Sequence, residues 1–393
     1  MASPSFPFPP ETSLFPTAAV VQKYLEDYAV HFNLPRFVRL CVRVEKAFWD
    51  TDSREWDVTL STGERVKFDF VIVANGHFRK PRYSLATGLH SWLDSGRAMH
   101  SVWYRRPGEL AHHETVMVVG GGPSAIDICT DLMGIIPLLL HSTPPSPSKI
   151  GVTYPDDTET YRKVARVVEY RDDGSVLLED CSIELNIDLV ILATGYEISF
   201  PFFSQIKLGI PPLPPPLPNE LYNSTYHVFP LALHLFPLQG SFPPTSIAFP
   251  GLQYRFAPLP LYEDQARAIA RVLEDPASLG RLSCAEDIVA RVHKLMRKKR
   301  TDHPLVIAKA WSQFALLELF DYRAQLDAFS GRNWIAPEGE VECWKNKVML
   351  REEWKAIERS GMVEEWLKGV GMDGNGMDDW IMLCAKLIKQ CET

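Results

Sequence analysis

The chain has 393 residues, too many for one compact core, so two or more domains are expected. Its 46% hydrophobic and 23% charged residues match an ordinary folded chain and exclude extended disorder. A formal net charge of -8, from 41 basic and 49 acidic residues, argues against a sequence-independent nucleic-acid binder.

In chain order, residues 1–16 are proline-rich and lack the basic start and apolar run of a signal peptide. Residues 42–48 and 56–60, split by a turn at 51–53, predict paired strands. They lead into residues 69–76, DFVIVANG, a short apolar run closed by small residues and glycine, which reads as a buried strand. The pattern returns without a gap at residues 188–195, DLVILATG, again after predicted strands at 164–170 and 176–178 around the turn Asp172, Asp173, Gly174. One architectural unit therefore occurs twice.

The second copy opens with the apolar residues 116–119, then Gly120, Gly121, Gly122, Pro123, Ser124 and Ala125, then a helical run over 126–133. Strand, glycine turn and helix are what a dinucleotide requires. Gly120 permits the tight turn, Gly122 lets the backbone approach a pyrophosphate, and Ala125 lets helix and strand pack closely. The anion then rests on the helix N-terminus. The competing reading is a glycine-rich structural turn. The next strand, predicted near 135–140, ends in His141, Ser142 and Thr143, with Lys149 beyond and no carboxylate to bind a ribose 2′-hydroxyl, which favours NADP over NAD unless these residues form a loop that touches nothing. The first copy differs. Counting back from Asp69 as from Asp188 to Gly120 reaches position 1 or beyond, and no glycine precedes Gly63, so this copy lacks its nucleotide-binding start.

Prolines cluster at 7–16, 144–147 and 211–218, and the last of these predicts a stiff polyproline II spacer. From 276 onward long helical periods appear, with Trp311, Leu316, Leu317, Phe320, Trp354, Ile357 and Trp366 as apolar anchors. A second glycine pattern, Gly369, Gly371 and Gly374, follows a helical stretch and no strand, so it reads as a loop. Lys294 and Arg297 to Arg300 read as a cationic helix end that stops before Pro304. Neither residues 133–140, nor 226–238, nor 380–388 are long and unbroken enough to span a bilayer, and no membrane span is expected.

Seven dispersed cysteines without a C-x-x-C pair suggest neither a disulfide framework nor a zinc site, and point to a reducing, cytoplasmic location. The sequon at Asn223 is then incidental. His112, His113 and Glu114 read as a solvated loop rather than a metal site. Gly122 to Ile126 lacks the closing glycine of a hydrolase nucleophile elbow.

Several segments together resemble the flavin-containing monooxygenase family of plant and fungal type. They are the proline-aromatic stretch from Phe6 to Pro16 with Tyr24 to Tyr28, the linker Val73 to His77 with Pro81, the turn Gly120 to Ala125, the second linker Leu192 to Tyr196, the stretch from Tyr226 to Pro230, residues 247–252, and Glu263 to Gln265. The family signature F-x-G-x-x-x-H-x-x-x-F/Y is matched at Gly96, His100 and Tyr104, with Asp94 in place of the first aromatic. The resemblance implies an α/β fold of two nested Rossmann-like dinucleotide-binding domains, the first N-terminally incomplete, followed by a C-terminal helical region. The boundaries expected are 1–107 for the incomplete FAD-domain-like region, 108–200 for the NADPH domain, 201–280 for the return to the FAD-like region and 281–393 for the helices.

The function implied is an NADPH-dependent flavin monooxygenase that oxygenates a small organic molecule at nitrogen, sulfur or a carbonyl carbon. The cofactors implied are NADP(H) and FAD, the latter held poorly by a chain lacking the family's N-terminal glycine motif. Residues placed at cofactors are Gly120 to Ala125, Ser142, Thr194, Gly195 and Gln265. His100 and Asn75 are the catalytic candidates, and His100 reads equally as a satisfied junction histidine. No metal is expected, and self-association into a homo-oligomer is compatible with the reading. The alternatives are an NADPH-binding remnant, a subunit completed by a partner, or a reductase without oxygen insertion.

Overall fold

The computed structural model describes residues 2–143, 154–254, 256–372 and 377–392. Lys149, the prolines at 144–147 and Gly374 lie outside them. The chain divides into two compact units, one formed by Met1–Gly76 with Ser199–Thr393 and the other by His77–Ile198.

The first unit begins with helix α1 (Ala18–His31), whose N-terminus is capped by the Thr17 hydroxyl. An antiparallel meander follows, β1 (Val44–Asp50), β2 (Glu55–Leu60) and β3 (Arg65–Phe68), and then the two-residue strand β4 (Val71–Ile72). In β2 the alternate residues Trp56, Val58 and Leu60 are buried, as a sheet with one covered face requires. The Trp56 indole N–H donates to the Ser246 carbonyl at 2.8 Å, so its burial leaves no orphan donor.

The second unit contains β5 (Lys80–Pro81), α2 (Leu89–Asp94), β6 (Ala98–His100), β7 (Thr115–Val119), α3 (Pro123–Leu132), β8 (Leu138–Ser142), β9 (Tyr161–Val164), β10 (Val167–Tyr170), β11 (Val176–Leu178), β12 (Ile183–Glu184), β13 (Leu189–Leu192) and β14 (Tyr196–Glu197). Its parallel sheet has the order β6-β13-β7-β8-β9. The unit that holds this sheet runs from His77 to Ile198 and so includes β6. Period-two alternation gives the sheet two apolar faces. Val116, Val118, Leu139, Leu189 and Ile191 pack with Ala125, Ile128, Cys129 and Leu132 of α3. Met117, Leu140, Val190 and Leu192 pack with Trp92 and with Tyr170, Val176 and Leu178 of the meander β10-β11-β12. All four residues of β13 are buried, which stabilises the centre of the unit by about 2 kcal/mol per side chain. The expected strand 164–170 is two strands, since the chain leaves the parallel sheet after Val164 and enters the meander at Val167.

The chain returns to the first unit through the short strands β15 (Lys207–Leu208), β16 (Tyr222–Asn223), β17 (Val228–Phe229), β18 (Leu231–Ala232), β19 (Phe236–Pro237) and β20 (Ile247–Ala248). Helices follow: α4 (Pro258–Glu274), α5 (Arg281–Lys299), α6 (Pro304–Trp311), α7 (Glu318–Phe329), α8 (Glu338–Lys345), α9 (Lys347–Ser360), α10 (Val363–Leu367) and α11 (Asp378–Glu392). Trp311, Phe320, Trp354 and Ile357 are buried anchors as expected. Leu316 and Leu317 are not: α6 has ended at Trp311, and both leucines are exposed in the turn before α7. The basic last turn of α5 closes with Arg300 in the left-handed region, four residues before Pro304. No helix among the described residues is long and apolar enough to cross a membrane. The 211–218 run is not a continuous polyproline II segment, since it bends at 214–216 and holds cis bonds at Pro214-Pro215 and Pro215-Pro216.

The repeated strands have unequal fates. β13 lies between β6 and β7, whereas β4 pairs in parallel only with β20 among the described residues. The expectation that residues 69–76 form a buried strand is therefore corrected: Val71 is half-buried and Ile72 is 49% exposed.

Six histidines, His77, His100, His113, His141, His227 and His234, have their pKa values lowered chiefly by burial, His227 to about 3. In the unfolded chain they titrate near 6.5. Stability is therefore complete above about pH 6.5 and is lost as pH falls towards the folded values. His227 alone should cost about 2 kcal/mol by pH 5. Melting temperature followed from pH 7.5 to 5 should fall steadily, and a flat profile would contradict the buried, neutral state of these rings.

Candidate functional site

The end of β7 runs into the glycine turn and α3. Gly120 has φ +144°, and a Cβ there would lie 2.2 Å from the Ala193 carbonyl oxygen. Glycine is thus required by the close approach of the chain that leaves β13. Gly122 is the residue before α3, with φ -97° and nothing within 4 Å of a Cβ position, so its outer face is open. Pro123 occupies the first helical position, where no N–H is needed. Ala125 is fully buried against the sheet, while Pro123 and Ser124 are exposed. Among the described residues no side chain caps this N-terminus, and its first turn carries no acidic residue, which leaves positive potential facing outward.

The turn is held from behind. His141 Nε2 lies 2.7 Å from the Gly120 carbonyl, and Nδ1 lies 2.9 Å from the Tyr161 hydroxyl. A carbonyl only accepts, so Nε2 carries the proton and Nδ1 accepts from Tyr161. Burial holds the ring below the ordinary histidine pKa and keeps it neutral. The Tyr154 hydroxyl donates to the Gly121 carbonyl at 3.1 Å and accepts from Thr143. With both carbonyls tied inward, the peptide planes of the turn are fixed. His141, Tyr154 and Tyr161 are positioning residues that sequence reasoning missed; the available signal was a histidine at the end of a buried strand.

This geometry also corrects the reading of the strand end. The strand starts at Leu138, later than expected, and His141, Ser142 and Thr143 are all buried. The Ser142 hydroxyl donates to the Ala165 carbonyl at 2.9 Å. Gln265 is likewise internal: its carbonyl accepts from the Gly251 N–H, and its amide donates to Gln253 and to the Tyr322 hydroxyl.

His100 is buried in β6, with Nε2 at 3.0 Å from the Gly195 carbonyl and Nδ1 accepting from the Val102 N–H. Both ring nitrogens are engaged with backbone, and His100 holds the turn after β13. Thr194 donates its hydroxyl to the Arg82 carbonyl at 2.5 Å, and Gly195 has φ +81° with open space around a Cβ position. The Thr194 hydroxyl is thus engaged with backbone, whereas the space around Gly195 is open. Asn75 lies in the other unit, exposed, with its amide 3.4 Å from the Ser199 carbonyl. In its described part the second glycine pattern forms a loop, since Gly369 and Gly371 follow α10 in left-handed conformations.

Residues 1–144 and 161–311 match the family model described as flavin-binding monooxygenase-like. The chain belongs to this flavin-binding monooxygenase-like family. A flavin-containing monooxygenase of Arabidopsis thaliana, FMO GS-OX-like 2, is 30% identical over 274 residues, covering 67% of this chain and 54% of that relative. A thiol-specific monooxygenase of Saccharomyces cerevisiae is 30% identical over 216 residues, covering 52% of this chain and 48% of its own length. The chain thus spans about half the length of these relatives. Among solved structures, S-allyl-L-cysteine S-oxygenase from Allium sativum superposes with a TM-score of 0.71 at 25% identity, over 90% of this chain and 76% of that one. The flavin-binding monooxygenase-like match ends at residue 311, so α7 to α11 lie beyond it.

Proposed function

We propose that this chain carries the NADPH-binding part of a flavin monooxygenase that adds one oxygen atom to a small molecule, with sulfur favoured as the acceptor over nitrogen or a carbonyl carbon. The observation that carries the reading is the uncapped, acid-free N-terminus of α3 behind the Gly120 to Ala125 turn. The choice of sulfur is supported by the names of two relatives, an S-oxygenase and a thiol-specific monooxygenase. NADPH over NADH is supported by a β8 end, His141 to Thr143, without a carboxylate for the ribose.

The residues present fit NADP(H). The amides at the start of α3 would receive the diphosphate, Gly122 would leave room for it, and His141 and Tyr154 would hold the turn in shape. When bound, the cofactor supplies a hydride. Flavin fits less well. The described residues of the first unit form no strand, glycine turn and helix, and β4 has a single parallel neighbour. Among the described residues the FAD diphosphate has no cradle of that kind. This favours, as a second reading, a flavin site completed by residues outside this chain.

Calorimetry of the purified chain should show saturable NADPH binding that is at least about tenfold tighter than NADH. Its absorbance spectrum should show flavin well below one equivalent. No heat with NADPH would sink the nucleotide assignment, and a full flavin load would sink the statement about FAD. Oxygenation of a thioether by the chain with added FAD and NADPH would favour a self-sufficient enzyme over the partner-completed reading.

A further inference from the structure

A cavity of about 530 Å³ lies within the first unit and is lined by that unit's residues. Its walls come from the end of β1 with the turn before β2, from residues 239–245 leading into β20, and from the approach to α5. The floor is apolar and fixed. Trp49 and Phe242 are buried, and each meets the Trp56 ring edge-on, with 5.5 and 5.1 Å between centroids; buried Leu279 adds to them. The stretch 239–245 is held by short-range bonds: the Gln239 amide donates to the Phe242 carbonyl at 2.9 Å, and the Ser246 hydroxyl donates to the Pro243 carbonyl at 2.8 Å. The rim is cationic. Arg54 and Arg281 line the cavity, both exposed, and among the described residues no Asp or Glu does. Among the same residues neither guanidinium has an ion pair or a hydrogen bond, and the hydroxyls of Thr51, Ser241 and Thr245, also in the lining, have no hydrogen-bond partner. Carboxylates nearby are used elsewhere: Asp50 accepts from Ser53, Glu55 pairs with Lys67, and Asp275 pairs with Arg271.

We propose that this cavity is a binding site for a small organic phosphate monoester, a ligand other than the nicotinamide cofactor. The sign of the charge follows from two guanidinium groups with no carboxylate beside them in the lining. Phosphate is favoured over carboxylate by the number of donors. Two guanidinium forks and three hydroxyls exceed what two carboxylate oxygens accept, whereas a phosphate monoester offers three terminal oxygens and about two negative charges. An organic body is favoured by Trp49, Phe242 and Leu279, which inorganic phosphate would leave uncovered. The volume falls within the roughly 300–1,000 Å³ usual for small-molecule sites. The place in the fold separates it from a dinucleotide site. Residues 239–245 enter β20 at its amino end, and β4 runs parallel to β20, whereas parallel sheets of this kind hold nucleotides at the carboxyl ends of their strands. The proposal does not rest on NADPH binding.

The test is calorimetry of the full chain with phenyl phosphate as the probe, with and without saturating NADPH. The expected result is one saturable site, unchanged by NADPH and at least about tenfold tighter for phenyl phosphate than for benzoate or inorganic phosphate. Arg54→Gln and Arg281→Gln should each weaken phenyl phosphate at least about tenfold. Both side chains are exposed and unpaired among the described residues, so the two variants should melt like the parent and keep its response to NADPH. Absence of saturable heat with phenyl phosphate would overturn the proposal. Full affinity in the Arg54→Gln, Arg281→Gln double variant would also overturn it, as would displacement of the probe by NADPH. Inorganic phosphate bound as tightly as phenyl phosphate would do the same, because the apolar walls would then contribute nothing. In a chain that takes up no NADPH, the arginine variants and the comparison of probes still decide the matter.

Discussion

Replacing Gly120 with alanine is expected to abolish NADPH binding and lower the melting temperature together, whereas Gly122→Ala should weaken binding about tenfold, roughly 1.4 kcal/mol, and leave melting unchanged. The two glycines are two residues apart and do different work. At Gly120 a methyl group would sit 2.2 Å from the Ala193 carbonyl oxygen, on a backbone with φ +144°. Relief requires movement of β7 against the chain leaving β13, both central in the parallel sheet. Overpacking with unfavourable backbone geometry should cost about 3 kcal/mol. Gly122 has an ordinary φ and open space, so alanine fits the fold and intrudes only where a phosphate would approach. Thermal melts and calorimetry on the two variants separate these outcomes; equal melting of both proteins would refute the assignment of Gly120 to packing.

His141→Ala is expected to cost about 3 kcal/mol and to weaken NADPH binding by about tenfold although the ring touches no ligand. The substitution leaves a cavity, orphans the Tyr161 hydroxyl and frees the Gly120 carbonyl. The turn then loses the anchor that fixes its peptide planes. His141→Gln, which can donate to that carbonyl again, should recover part of the binding. Tyr161→Phe removes one hydroxyl and should cost about 1 kcal/mol. If His141→Ala melts like the parent while binding is lost, the histidine belongs in the ligand set and its positioning role is wrong.

What the sequence made legible is the part governed by local pattern. The apolar runs 116–119 and 188–195, the glycines between strand and helix, and the helical periods after 276 each carry their own signal, and each appears as expected. Long-range partners were not legible. Whether residues 69–76 form a buried strand depends on neighbours on both sides, and among the described residues β4 has only β20. The residues at the end of β8 are polar and suggest a ligand, yet their hydrogen bonds run to Tyr161, Ala165 and Tyr154, which no spacing rule identifies. His100 stood out through a family signature, but its role follows from the Gly195 carbonyl beside it in the folded sheet. Leu316 and Leu317 kept helical spacing across a point where the helix had ended.

The duplicated octapeptide pattern has one more consequence. Its two copies share residue types and direction, but β13 is locked between parallel neighbours, whereas among the described residues β4 is paired along one edge alone. Deuterium should enter the backbone amides of residues 71–73 through small, frequent openings, and those of 190–192 only when the whole unit comes apart. The chain therefore contains an internal ruler for cooperativity, in which nearly the same peptide reports local fraying in one place and global unfolding in the other.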